Sequence, residues 1–213
     1  MMMNSWFGLK LYARMTLFFL GISALALPLR AQKQDLTFSL GGIATQTRTF
    51  VSPTAGQVNI SADKTFGANY GYRLLGSILV GLYGEIEFAA IPNRSVTSAN
   101  AVVAQNYASL YVAPGFRVKF FPGARLSPWG AVGGGYASYE QSATLSNGQT
   151  TTNRFLNRGV FDFGGGLDYR LFRFIGLRAE VRDFYSGNPN LNVRPNSSGQ
   201  HNVVSSGGII FRF

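Results

Sequence analysis

The sequence predicts an all-β fold: an eight-stranded antiparallel up-and-down transmembrane β-barrel with tight turns at one end and long loops at the other. Three observations predict it. Glycine-broken stretches rich in Val, Ile, Phe and Tyr follow one another from residue 32 onward, and none shows a 3.6-residue apolar stripe. The connections between them alternate between long and short. Within the stretches, apolar side chains alternate with charged or small ones at period two, which places them on opposite faces of a strand.

Composition narrows the field. Of 213 residues, 46% are hydrophobic, 14% aromatic and only 13% charged, the opposite of a disordered chain. The 26 glycines and low charge are also unlike an ordinary soluble enzyme. With no cysteine there is no disulfide framework, thiolate metal site or cysteine nucleophile. His201 is the single histidine, so no cofactor or metal is expected.

Residues 1–31 read as a cleaved secretory signal. Lys10 and Arg14 precede the apolar run MTLFFLGISALAL, which ends in Pro28-Leu29-Arg30-Ala31. That 13-residue run would reach only about 20 Å as a helix, short of the ~30 Å hydrocarbon core. The expected mature domain is 32–213. Losing Lys10, Arg14 and Arg30 lowers the formal charge from +10 to +7.

Eight strands are predicted, at 34–44, 65–74, 77–90, 106–120, 128–140, 158–171, 175–186 and 202–213. Long connections run 45–64, 91–105, 141–157 and 187–201; short ones are Leu75-Gly76, the 121–127 turn with Pro122-Gly123, and 172–174. All long loops therefore leave from one rim. Pro114, within the fourth strand and beside Gly115, predicts a bulge or bend, because a closed barrel has no free edge to tolerate a missing N–H.

Parity assigns the two faces. In the seventh strand Leu177, Ala179 and Val181 oppose Arg178, Glu180 and Arg182; in the sixth, Phe161, Phe163 and Leu167 oppose Asp162, Asp168 and Arg170. In the third, Val80, Leu82, Ile86 and Phe88 oppose Tyr83, Glu85 and Glu87; in the fourth, Val112, Phe116, Val118 and Phe120 oppose Tyr111, Arg117 and Lys119. A basic side chain facing lipid near the midplane costs about 2–4 kcal/mol, so the charged parity must line the interior. Open edges in hydrocarbon would leave backbone groups unpaired, which requires closure. A secreted soluble barrel would show the same period; the loop order, small interior residues and strand-end aromatics favour the membrane. Tyr72, Phe120, Trp129, Tyr139 and Tyr169 are expected to form aromatic girdles at the interfaces.

The candidate site is the lumen: Glu85, Glu87, Arg117, Lys119, Asp162, Asp168, Arg170, Arg178, Glu180 and Arg182, with Arg73 and Arg212 on the same face. An eight-stranded interior is just wide enough to be filled by its own side chains. Two readings stay open. The charges either pair into a rigid plug or line a narrow gated pore constricted at Glu87, Arg117 or Arg182. The clusters Gly133-Gly134-Gly135 and Gly164-Gly165-Gly166 lack the spacing of nucleotide-binding loops and read as sites of close packing, so no nucleic-acid or nucleotide partner is expected.

The stretch Tyr107 to Ala137, YASLYVAPGFRVKFFPGARLSPWGAVGGGYA, and the final SSGGIIFRF resemble the eight-stranded outer-membrane β-barrel family of the OmpA transmembrane type. The resemblance implies bacterial outer-membrane residence, with loops outside and turns in the periplasm. It implies a C-terminal signal, Phe211 and Phe213, read by the barrel-assembly machinery. Nothing follows Phe213, so the peptidoglycan-binding domain that some members append is expected to be absent.

From this follow a monomer in outer-membrane lipid and a structural or surface-interaction role through the long loops. Arg48, Arg94, Arg154, Arg158 and Arg194 are expected to meet lipopolysaccharide headgroups. A narrow channel for small solutes is the alternative. Lipid A modification, which some members perform, is a second alternative. The deacylase pattern carries serine two residues after its histidine, where this chain has Val203, so no enzymatic activity is expected.

Overall fold

The computed structural model describes residues 33–45, 48–52, 56–99, 101–152, 154–189, 194–195 and 199–213. The proposed leader lies outside them. Twelve strands occur in chain order: β1 (Gln34–Thr45), β2 (Arg48–Ser52), β3 (Gly56–Ile60), β4 (Asp63–Gly76), β5 (Val80–Ser98), β6 (Asn106–Phe120), β7 (Leu126–Gln141), β8 (Phe155–Arg170), β9 (Ile175–Gly187), β10 (Arg194–Pro195), β11 (Gly199–Gln200) and β12 (Asn202–Arg212). Eight of them, β1, β4 to β9 and β12, pair antiparallel with their sequence neighbours, and β1 closes the ring against β12 from Asp35↔Arg212 to Thr45↔Asn202. Every strand of the barrel wall thereby has a partner on both sides, leaving no open sheet edge.

The wall follows parity. Phe116, Val132, Phe161, Phe163, Leu167, Leu177, Val181 and Ile209 face outward and are exposed, while Asp162, Asp168, Arg178 and Arg182 are buried. Tyr72, Phe120 and Tyr169 lie on the outer surface near the turn end. Trp129 and Tyr139, expected in the girdles, instead point into the barrel and are 4% and 2% exposed. The reason is register: Trp129 pairs with Lys119 on one side and Gly166 on the other, both inward positions. Tyr139 shares that parity.

Pro114 produces no bulge. It stays opposite Ile86 in β5, and the β6–β7 register is the same before and after it, Val112↔Tyr136 and Gly115↔Gly133. Only the ladder toward β7 skips Ala113 and Pro114. Gly135 makes this possible, because a Cβ there would run into Val112 O and Ala113 Cα. The glycines accommodate the proline by close backbone approach rather than by an inserted residue.

The register shifts lie elsewhere, between Arg73 and Leu75 and between Ile91 and Arg94. The first turn is Ser77–Leu79, beyond the expected Leu75-Gly76, because Ser77 Oγ accepts from the N–H groups of Leu79 and Val80 at 3.2 and 3.1 Å. The second turn holds Phe121 at φ 49°, a left-handed conformation strained for a non-glycine residue. It is held by Phe121 N–H donating to Leu79 O at 2.7 Å and by Ser127 Oγ donating to Phe121 O at 2.8 Å.

Among the described residues, strand pairing continues into the loop rim. β5 runs past the wall to Ser98, pairs with β3, and β3 pairs with β2, which pairs with β10 from the last long connection. Ala104 bridges Leu145, joining the second and third loops. Beneath this cap Val58, Ile60, Val96 and Val103 are buried.

Candidate functional site

Two layers fill the lumen, an ionic one toward the turn end and an aromatic one toward the loops. Period-two alternation carries each charge inward, and burial forces them to pair. Asp168 of β8 lies at the lower centre. Arg178 grips it with Nε to Oδ1 at 2.8 Å and Nη2 to Oδ2 at 3.1 Å, and Lys119 reaches Oδ2 at 2.5 Å. Arg117 donates to Asp35 at 2.6 Å and lies 3.4 Å from Glu85. Such forked guanidinium–carboxylate contacts are the strong class of hydrogen bond.

One turn of the ladder higher, Arg182 serves four carboxylates. It contacts Asp162 at 2.6 Å, Glu85 at 2.7 Å, Glu87 at 3.4 Å and Glu180 at 3.6 Å. Ser206 Oγ donates to Glu180 at 2.9 Å. Acids thus outnumber bases around Arg182, whereas bases outnumber acids around Asp168.

Three residues absent from the sequence-based site bind these layers together. Asn69 Nδ2 donates to Glu85 and Glu87 at 3.1 and 2.8 Å, while its Oδ1 accepts from Arg117 and Arg178, both at 3.2 Å. Trp129 Nε1 donates to Asp168 at 3.1 Å, and its ring lies 4.9, 5.2 and 5.6 Å from the guanidinium carbons of Arg178, Arg182 and Arg117. Cations over an indole face gain from its quadrupole where water is excluded. Asp35 is the third, and the alternation of Asp35, Thr37 and Ser39 against Leu36, Phe38 and Leu40 would have found it. Of the expected network, Arg170 stands apart: it is half-buried at the turn-end mouth and makes no ion pair among the described residues.

Above the charges, the lumen turns apolar. Tyr111 stacks on Phe184 at 4.9 Å, and Tyr139 meets Tyr111 and Tyr107 edge-on at 6.1 and 6.0 Å. Tyr111 and Phe184 are fully buried. Their polar atoms and neighbours are satisfied locally: Tyr139 OH lies 2.5 Å from Ser186 Oγ, and Asn202 Nδ2 donates to Phe184 O at 3.0 Å. Ile43, Ile91 and Val204 join this plug to the cap.

The loop arginines divide. Arg94 is fully buried, donating to Ser61 O at 3.0 Å and to Tyr107 OH at 3.0 Å, so it ties the cap to the plug and does not face the surroundings. Arg154 is half-buried against Glu140 at 3.1 Å, and Arg158 is exposed. The side chains of Arg48 and Arg194 lie outside the described residues. His201 Nδ1 is 2.6 Å from Asp183 Oδ2 on the outer surface. Among the described residues, no group of three His, Asp or Glu side chains could hold a metal ion.

No family model matches the chain, and no curated protein matches it in sequence. Solved structures do match in shape. Neisserial surface protein A superposes with a TM-score of 0.55 at 11% identity, covering 87% of this chain and 100% of that one. The outer membrane protein OprG from Pseudomonas aeruginosa gives 0.54 at 13% identity, covering 86% and 97%. The chain has the fold of the eight-stranded outer-membrane β-barrels.

As an eight-stranded barrel, the molecule is narrow enough for opposing side chains to meet across its axis. Arg182 of β9 and Glu85 of β5 do so at 2.7 Å, and Arg178 of β9 reaches Asn69 of β4 at 3.2 Å. The glycines set this closeness. A Cβ at Gly164 would lie 2.7 Å from Arg182 Cγ, and one at Gly166 would lie 2.7 Å from Trp129 Cζ2. The glycine-rich run of β8 is the space into which the largest lumenal side chains fold.

Proposed function

We propose that the protein is a monomeric, non-conducting barrel of the bacterial outer membrane whose work is done by its ordered loop cap. The cap offers a surface to lipopolysaccharide and to an extracellular partner. The observation that carries the reading is a lumen closed twice in series, by Arg117 and Arg182 at the charged level and by Tyr111 and Phe184 at the aromatic level, each at most 2% exposed. An ion would have to displace a paired layer and then an apolar one.

The exposed apolar wall favours a lipid environment, since Leu40, Phe161, Val181 and Ile209 would otherwise stand in water. Phe211 and Phe213 serve assembly in this reading, as the resemblance implies. Arg158, together with Arg48 and Arg194, supplies the attraction toward anionic headgroups. Planar-bilayer recording tests the proposal. Silence is expected, and discrete steps whose size changes in Glu87→Gln or Arg182→Gln would establish the pore instead.

The reading is also non-catalytic. His201 has an acidic partner, but Val203 occupies the position where the deacylase pattern carries serine. Lipid A of unaltered mass in cells overexpressing the protein is the expected result.

A further inference from the structure

The turn end carries a feature that a sealed, structural barrel does not need. A cavity of about 470 Å³ opens there, walled by Arg73, Arg170, Arg173 and Arg212 and floored by Lys119 and Asp35. The floor is already neutralised, because Asp35 is held by Arg117 at 2.6 Å and Lys119 by Asp168 at 2.5 Å. The walls are not. Arg73, Arg170 and Arg173 make no ion pair among the described residues, and Arg212 has only Asp168 at 3.7 Å.

Sequence and backbone hold this arrangement open. Arg73 folds its guanidinium over Gly76, where any Cβ would collide with its Nε and Nη2. Arg173 lies in the last tight turn with its guanidinium carbon 5.3 Å from the Phe174 ring, held by its neighbour rather than by an acid. Neither Ser77–Leu79 nor 121–125 nor 171–174 contains an Asp or Glu. Asp35 is the one acid in the cavity lining and is already engaged by Arg117, so gathering these arginines around one cavity costs mutual repulsion, which an anion removes.

We propose that this mouth is a binding site for a phosphate-bearing group. Guanidinium forks match tetrahedral oxyanions bidentately, and a phosphate has enough acceptor oxygens to engage several arginines at once. Two sources supply that chemistry: the headgroup of an anionic phospholipid in the adjoining leaflet, or a soluble phosphate compound. The exposed turn tips Ile78, Leu79, Phe121 and Phe172 ring the same end, which suits contact with a lipid surface. The site lies below both closures, so its failure would leave the sealed-lumen reading intact.

The test uses the full chain, extracted as it occurs in membranes. In neutral detergent, pyrophosphate is titrated calorimetrically. In nanodiscs of phosphatidylcholine with or without phosphatidylglycerol, retained lipid is read by native mass spectrometry. The variant is Arg73→Gln/Arg170→Gln/Arg173→Gln, with Arg125→Gln at the same end but outside the cavity as the control. Saturable pyrophosphate binding that weakens at least tenfold in the triple variant and not in the control supports the site with a soluble source. Preferential retention of phosphatidylglycerol lost only in the triple variant supports it with a lipid source. Binding of neither probe, or equal binding by wild type and triple variant, overturns it. If the triple variant no longer migrates on an unheated SDS gel as the compact, faster-running form expected of a folded barrel, Arg173→Gln alone, in an exposed turn, is read the same way with a smaller loss expected.

Discussion

Trp129 lies directly over Gly166: a Cβ on that glycine would come within 2.7 Å of the indole. A large ring and an absent side chain on neighbouring strands thus form one packing unit at the axis. Around the ring stand three guanidinium groups, and beneath it is Asp168. The consequence is that the charged layer is organised about an aromatic side chain as much as about its own counterions.

This placement is open to a direct optical test. In a chain produced without residues 1–31, Trp129 is the sole tryptophan. In a girdle its emission would be quenched by lipids with brominated acyl chains. From inside the wall it is shielded from both lipid and water, so brominated vesicles and aqueous acrylamide should each leave it unquenched until the barrel is unfolded. Strong quenching by brominated lipid in the folded state would put the ring outside.

The contrast between Trp129 and its neighbours shows what was legible in the sequence. The parity of Leu177–Arg182 could be read directly, because a one-residue slip would place three charges in lipid. The other wall strands are legible as glycine-broken stretches rich in Val, Ile, Phe and Tyr. Trp129 stands near a strand end, where a girdle aromatic is expected, but shares the inward parity of Ala131, and parity decides its place. Asp35 is legible by its strict alternation with Leu36, Phe38 and Leu40, whereas Asn69 sits in a strand that mixes small, polar and apolar residues and shows no such pattern. The pairing of β10 with β2 joins residues far apart in the chain, and no local periodicity encodes such a contact. The burial of Arg94 depends on Ser61 arriving from the first long connection and Tyr107 from the start of β6, which spacing alone does not show.

Arg182 is the residue whose loss should be felt most. It is the cation nearest Glu87, Asp162 and Glu180, and it also contacts Glu85. Arg182→Met leaves buried carboxylates without a counterion, a change expected to cost about 3–5 kcal/mol. The urea midpoint of the compact gel form should fall accordingly. Adding Glu87→Gln and Asp162→Asn removes two of the stranded charges and should recover part of the loss. A single variant with the wild-type midpoint would show that the layer is not held by this arginine.

Removing the aromatic plug separates stability from closure. Phe184→Ala takes away the ring stacked on Tyr111 at 4.9 Å and should cost about 3–5 kcal/mol as a buried cavity forms. Conductance should nevertheless stay absent, because the Arg182 layer beneath remains intact. Planar-bilayer traces of this variant therefore test whether the ionic layer seals on its own. Steps appearing in Phe184→Ala alone would make the plug the sole barrier.

The outer wall yields a depth-dependent prediction. Val181 and Val203 both face outward, 52% and 37% exposed, but Val181 lies midway along β9 while Val203 is the second residue of β12, at the loop end. Val181→Arg puts a guanidinium into the hydrocarbon, at about 2–4 kcal/mol, whereas a position near the interface costs about 0–1 kcal/mol. Val203→Arg is further offset because its register partner on β9 is Asp183, which places opposite charges across the strands. Urea titration in lipid vesicles should therefore show a large loss for Val181→Arg and little or none for Val203→Arg. Equal losses would mean that the two positions share one environment, which an apolar band bounded at the loop rim does not allow.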